Sequence, residues 1–202
     1  MDTDTGPLRR LGLMGGTFDP IHLGHLVIAS EALAAFGLDR VLFVPTGKPW
    51  QKECYSDAED RFVMTTLAAG AHPRFAVSRI ELDRKGPTYT LDTIETLRAF
   101  HGSELEVFFI LGADAALQLG SWQGVDRLAG LVQMIAVTRP GYDLGTLAAE
   151  PWWPPVHKLE TPLIGISATE VRERVRKGRP IDFLVPAEVA GFIRDKGLYA
   201  AA

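Results

Sequence analysis

Two histidines, His22 and His25, stand three residues apart at the end of Gly12-Leu13-Met14-Gly15-Gly16-Thr17-Phe18-Asp19-Pro20-Ile21-His22-Leu23-Gly24-His25. At the start of a helix that spacing puts both rings on one face. Imidazoles donate hydrogen bonds, and carry charge when protonated, so a pair aimed at one place suits an anion. The residues before them fit the same purpose. Leu11, Leu13 and Met14 read as the end of a buried strand, and the Gly15-Gly16 pair lets a ligand approach the backbone. Asp19 precedes a proline and is biased away from the helical region, so the helix starts beyond it. Strand, glycine turn and helix N-terminus together make a phosphate site, because free N–H groups and the positive dipole end face the anion.

Other chemistries fit this stretch less well. A dinucleotide fingerprint needs Gly-x-Gly-x-x-Gly, and the glycines here fall at 12, 15, 16 and 24. No Gly-Lys-Ser/Thr follows, so it is not a Walker A loop. A zinc site would want histidines four apart and a third ligand, so no protein-held metal is expected. Taken singly, each histidine is better explained as a surface residue beside a tight turn; the string as a whole is not.

The 202 residues carry 21 basic and 25 acidic side chains, a net charge of −4, and are 47% apolar. One domain over 1–202 with a real core is expected. Residues 1–7 read as a flexible tail and 165–202 as a C-terminal helical part. The acidic balance argues against nucleic acid and acidic membranes as partners. A single cysteine, Cys54, suits a reducing cytosol, and the polar start and lack of a long apolar run make a cytoplasmic location the expectation. Homo-oligomerisation stays open.

The surrounding elements must place the histidines. Leu26 to Phe36 has a helical apolar stripe, with Gly37 as its stop, and Val41 to Val44 is a continuous apolar run of buried-strand type. Strand, helix and strand form a βαβ unit. The next segment, Thr46 to Tyr55, leaves the carboxyl end of a strand, where ligands bind in doubly wound sheets. Lys48 and Lys52 are candidates there for phosphate contacts, and Trp50 for a wall or lid. Ser56 and Glu59 form a capping box for a helix to about Ala71. Phe75 to Ser78 reads as a strand and Arg79 to Lys85 as an edge segment. Gly86-Pro87-Thr88-Tyr89-Thr90 turns into a helix, Leu91 to Phe100, with Thr90 as its N-cap. Leu105 to Leu111 is the most strand-like run. Gly112-Ala113-Asp114 follows it, with Asp114 either a helix cap or a site residue. Ser121-Trp122-Gln123 opens a short helix, in which Trp122 is either core or a stacking platform. Leu131 to Thr138 is a further strand, 142–155 an irregular loop, and Val156 to Leu159 a last short strand. Ser167 and Glu170 form a second capping box, and Pro186 to Lys196 is a helix ended by Gly197. The alternation predicts an α/β, doubly wound parallel sheet of Rossmann-like type.

Gly-Gly-Thr-Phe-Asp-Pro-Ile-His-x-Gly-His resembles the signature of nucleotidyltransferases with a (T/H)xGH motif, and Ile166-Ser167-Ala168-Thr169-Glu170-Val171-Arg172 resembles their second signature. Within that superfamily Gly-Pro-Thr-Tyr-Thr, Gly-Ala-Asp and Ser-Trp are similar to the nicotinate-nucleotide adenylyltransferase family. The resemblance implies transfer of the adenylyl group of ATP to nicotinate mononucleotide, with Mg²⁺ arriving on the triphosphate. It implies catalytic roles for His22, His25, Lys52 and Arg172. ATP would be bound by these histidines and Arg172 with Gly15, Gly16, Thr17, Phe18, Gly112, Asp114, Ile166, Ser167 and Thr169. The pyridine carboxylate would be enclosed by Thr88, Tyr89, Thr90 and Trp122. Where the family usually reads Pro-Pro-His-Lys this chain has Pro49-Trp50-Gln51-Lys52, so Lys52 is kept, and a neutral amide at Gln51 cannot become cationic. Phosphopantetheine adenylyltransferase shares both signatures but is typically shorter, and takes a flexible substrate. From another class, the chain could be a nucleotide-binding module without catalysis.

Overall fold

The computed structural model describes residues 8–47, 54–116, 118–122, 124–137, 156–162 and 164–201, with backbone only at 113, 114 and 121. Lys48, Trp50, Gln51, Lys52, Gln123, the 142–155 loop and the 1–7 tail lie outside them. Six strands form one parallel sheet: β1 (Arg10–Gly16), β2 (Arg40–Pro45), β3 (Phe75–Val77), β4 (Glu106–Gly112), β5 (Val132–Val137) and β6 (Val156–Leu159). Their order is β3-β2-β1-β4-β5-β6, so the chain winds outward from β1 one way, then returns to β4 and winds the other.

Side chains alternate across the sheet, and each face buries its own core. Met14, Phe43, Phe108, Ile110 and Ile135 meet helices α1 (Leu23–Ala35), α2 (Ala58–Ala69), α6 (Ala168–Arg176) and α7 (Ala187–Lys196). Leu11, Leu13, Val107, Phe109 and Met134 meet α3 (Thr90–His101), the short α4 (Ala113–Ala116) and α5 (Val125–Ala129), with a 3₁₀ turn at Leu119–Ser121. Burying each such aliphatic or aromatic side chain contributes roughly 1.5–3 kcal/mol. Among the described residues no helix is long and apolar enough to cross a membrane.

The register between strands makes the crevice. β1 pairs β2 as far as Gly16 with Pro45, and β4 pairs β5 as far as Gly112 with Val137. Between β1 and β4 the pairing stops at Leu13 with Phe109. Beyond that point the two central strands are no longer joined, and the sheet opens at its carboxyl end. That is the topological switch point, where open α/β sheets bind ligands.

Several local expectations change. Ser56 and Glu59 do not cap α2. Asp57 is the N-cap, without a side-chain bond, and the Ser56 hydroxyl is given to Asp19 instead. Tyr89, not Thr90, is the N-cap of α3. The edge segment expected over 79–85 is turn at 80–82 and bend at 83–85. Trp122 closes the 3₁₀ turn, and α5 starts only after Gly124, which is left-handed at φ 72°. Ser167 does cap α6, accepting the Glu170 N–H at 3.1 Å, while the Glu170 side chain turns to Arg174.

Candidate active site

After Gly16 the chain leaves β1 through an unusual turn. Phe18 is left-handed at φ 49°, a conformation uncommon outside glycine. Its ring is 3% exposed and packs edge-on to Phe43 and His25, which pins the turn to the core. Any ligand contact at Phe18 therefore comes from its main chain. The Asp19–Pro20 bond is cis, Ile21 is buried, and His22 is the extended N-cap of α1.

The two imidazoles stack at 3.8 Å between centroids. His25 Nδ1 accepts the His22 backbone N–H at 3.2 Å, so a neutral His25 carries its ring hydrogen on Nε2, the donating atom. Gly24 leaves room for the His22 ring. A Cβ there would lie 3.0 Å from His22 Nδ1 and 3.1 Å from Cε1. The helix amides contribute less than the sequence suggests. The Leu23 N–H is given to the Leu184 carbonyl, and the His25 N–H to the His22 carbonyl, both at 2.9 Å. Neither of these two amides is left for an anion at this turn.

The second signature arrives beside the first. Arg172, on α6, donates from one terminal nitrogen to the Asp19 carbonyl at 2.6 Å and from the other to Thr169 Oγ1 at 3.1 Å. Its guanidinium lies 4.2 Å over the Tyr55 ring. Two of its five N–H groups are spent in these bonds, and the rest can serve phosphate oxygens. Ser167 is used as a cap, and Ile166 packs on the core behind α6. Gly15 is exposed at the end of β1, and Gly112 closes β4 across the crevice. Asp114 lies in α4, where only its backbone is described.

Sequence reasoning missed three buried polar residues here. Asp19 has a 3% exposed carboxylate that accepts the Tyr55 N–H and the hydroxyls of Ser56 and Tyr199, each at 2.6 Å. Arg61 is 1% exposed, and donates to the Thr17 carbonyl at 2.8 Å and the Gly47 carbonyl at 3.2 Å. It ties the turn after β1 to the one after β2. It shares the buried stripe of α2 with Met64, Thr65 and Ala68, and a charge in that register was the available signal. Gly47 has no room for a side chain, since a Cβ would meet the Glu81 carbonyl oxygen at 2.4 Å. Cys54 is exposed, and partial desolvation pushes its thiol up against the pull of Arg61.

Glu81, the third, is 8% exposed and accepts the Thr93 hydroxyl at 3.0 Å, while Arg84 donates to the same hydroxyl oxygen at 3.1 Å. Thr88, 7% exposed, lies beside the same carboxylate. Tyr89 and Thr90 follow it, half-buried, at the start of α3. Leu91 packs so tightly on the Gly124 turn that a Cβ on Gly124 would fall 2.6 Å from it. That contact brings the helix start to the neighbourhood of Trp122, whose partly buried ring meets Phe109 edge-on at 5.8 Å. Thr88, Tyr89 and Thr90 thus lead into a helix whose Leu91 packs on a turn two residues from Trp122.

Burial raises the Glu81 carboxyl above its usual value, with the Thr93 hydroxyl pulling the other way. The folded chain then holds this proton to higher pH than the unfolded chain. The group's stabilising contribution is complete below the ordinary glutamate range, and is lost as pH rises through the raised value. In melting curves from about pH 4 to pH 8, Glu81→Gln should gain on the wild type as pH rises. A difference in Tm that does not change with pH would show that the buried carboxylate carries no such cost.

Residues 13–174 match the cytidylyltransferase-like family model. A curated protein of Saccharopolyspora erythraea, "Probable nicotinate-nucleotide adenylyltransferase", is 53% identical over 195 residues, covering 95% of this chain and 90% of its own length. One of the same name from Acidothermus cellulolyticus is 48% identical over 203 residues, covering 96% of each. Among solved structures, the Plasmodium falciparum nicotinic acid mononucleotide adenylyltransferase complexed with NaAD superposes at a TM-score of 0.80. It covers 95% of this chain and 97% of its own, at 19% identity, so it speaks for the fold alone. With a family model over most of its length and about half its residues shared with full-length relatives, this chain belongs to the nicotinate-nucleotide adenylyltransferase family of cytidylyltransferase-like nucleotidyltransferases.

Proposed function

We propose that the chain transfers the adenylyl group of ATP to nicotinate mononucleotide, giving deamido-NAD and pyrophosphate. The observation that carries this is the identity, 48–53% over nearly the whole of both chains, to the two relatives bearing that name. The geometry supports it. One part of the crevice gathers His22, His25 and Arg172 around the turn after β1, as a triphosphate would require. Thr88, Tyr89 and Thr90 open a helix whose Leu91 packs two residues from Trp122, and a helix start with an aromatic ring nearby is what a planar carboxylate would require. We assign the first to ATP and the second to the pyridine ring, and place the activity in the cytoplasm, in keeping with a single cysteine.

The nucleophile is the mononucleotide phosphate, ionised already at neutral pH, so no general base is needed. Its oxygen forms a bond to the α-phosphorus as the bond from that phosphorus to the bridging oxygen breaks, and the electron pair leaves with pyrophosphate. Catalysis of such a step is positioning and electrostatic stabilisation. His25 Nε2, the His22 ring and the remaining Arg172 donors meet the charge that grows on the phosphate oxygens. Magnesium would arrive with ATP rather than be held by a protein cage. Among the described residues no group of three or more His, Cys, Asp or Glu could hold a metal, and the Asp19 carboxylate already serves three donors. The ion would supply charge neutralisation on the triphosphate.

The test is incubation with ATP and, separately, nicotinate mononucleotide, its amide analogue or phosphopantetheine, with products identified by mass. Deamido-NAD should dominate. The amide loses the charge and brings NH₂ donors against a helix start, a mismatch costing roughly 1–3 kcal/mol. The acid should therefore be preferred by about 10- to 100-fold in kcat/KM. Equal kcat/KM for acid and amide would sink the assignment of the pyridine pocket.

A further inference from the structure

Asp19 is bonded more heavily than its place in a turn requires. Oδ1 accepts the Ser56 and Tyr199 hydroxyls and Oδ2 the Tyr55 N–H, all at 2.6 Å. Tyr199 comes from 180 positions away. It lies beyond the end of α7 and is left-handed at φ 63°, a conformation uncommon outside glycine. Its hydroxyl is also 3.3 Å from Ser56 Oγ and 3.9 Å from Met64 Sδ. The main-chain carbonyl of Asp19 accepts from Arg172 at 2.6 Å. Arg172 in turn lies 4.2 Å over the ring of Tyr55, whose N–H the Asp19 carboxylate holds. The bonds close a circuit. Tyr199 and Ser56 fix the Asp19 side chain, Asp19 fixes Tyr55, and together they fix the Arg172 guanidinium beside the turn that carries His22.

We propose that Tyr199 is a positioning residue of the nucleotidyl-transfer site, which acts through Asp19 to hold Arg172 and the histidine turn where the triphosphate meets both. This rests on the reading of Arg172 as a triphosphate ligand. Burial, and then the bond to Asp19, pushes the Tyr199 phenol far above the usual tyrosine range, so it is a steady donor and takes no part in proton transfer. The role is distinct from plain packing, because the ring could pack without its hydroxyl.

Tyr199→Phe keeps the ring and deletes the bond, and Ser56→Ala deletes the other donor on the same oxygen. Each is made alone and in an Arg172→Lys background. Affinity for a non-hydrolysable ATP analogue with Mg²⁺ is measured by calorimetry, kcat and both KM values with nicotinate mononucleotide, and Tm by melting. Each single variant should bind the analogue about fivefold more weakly and lose about tenfold in kcat, with the mononucleotide KM unchanged. In the Arg172→Lys background the further loss should shrink to less than about twofold, since the residue being positioned is already altered. Unchanged analogue affinity in both variants, even with a lowered Tm, would overturn the proposal, and so would losses that simply multiply with Arg172→Lys. A wild type that binds the analogue yet makes no deamido-NAD would defeat the proposed substrate and still leave the positioning role decided by the binding data. A wild type that does not bind the analogue would overturn both.

Discussion

His22→Ala and His25→Ala should each lower kcat by about 10²–10³ while moving the KM values little, because the phosphate charge they meet appears mainly in the transition state. The structure adds a second expectation. His25 Nδ1 holds the His22 backbone N–H, and the rings stack at 3.8 Å, so the two act as one unit. The double variant should then lose much less than the product of the single losses. Steady-state kinetics on the three variants, with Tm as a folding control, decides it. Near wild-type kcat in either single variant would return that histidine to a packing role.

Arg172→Ala should cost roughly 10- to 150-fold in kcat or in KM for ATP, the loss of a charge-assisted contact of about 1.5–3 kcal/mol, while sparing the mononucleotide. Arg172→Lys should recover part of this. An ammonium can replace one of the bonds to the Asp19 carbonyl and Thr169, but not the planar fork that makes both. Trp122→Ala should show the opposite pattern, with about tenfold in KM for the mononucleotide and little change for ATP. Both KM values for the three variants test the division of the crevice. If Trp122→Ala impairs both substrates alike, the Phe109 contact is its whole role, and the pyridine ring lies elsewhere.

The sheet and the histidine pair were legible in the sequence because their signals are local. Apolar runs such as Val41 to Val44 and Leu105 to Leu111 have no solution but burial, and an Asp-Pro step before His22 leaves the helix one place to start. The failures share a cause as well. Ser56 has the spacing of a capping residue, and locally that reading is complete, but a carboxylate far away in sequence competes for the hydroxyl and wins. Nothing near Tyr199 indicates that its phenol closes on Asp19, since a long-range bond leaves no periodicity. Thr90 lost its expected cap role to Tyr89 by a single residue, within the usual uncertainty of a helix end.

The parting of β1 from β4 has a mechanical consequence. Those strands are joined over four register pairs, Arg10–Leu13 with Glu106–Phe109, whereas the junctions on either side of them have six. The seam between the two halves of the sheet is therefore laced by fewer ladder pairs than the junctions beside it, and it runs beneath the crevice. His22 and His25 follow β1 on one side of that line, and Trp122 meets Phe109 of β4 on the other. A dinucleotide gripped at both ends would brace the molecule across the span that its own backbone leaves unlaced, and letting go of that product would mean giving up the brace.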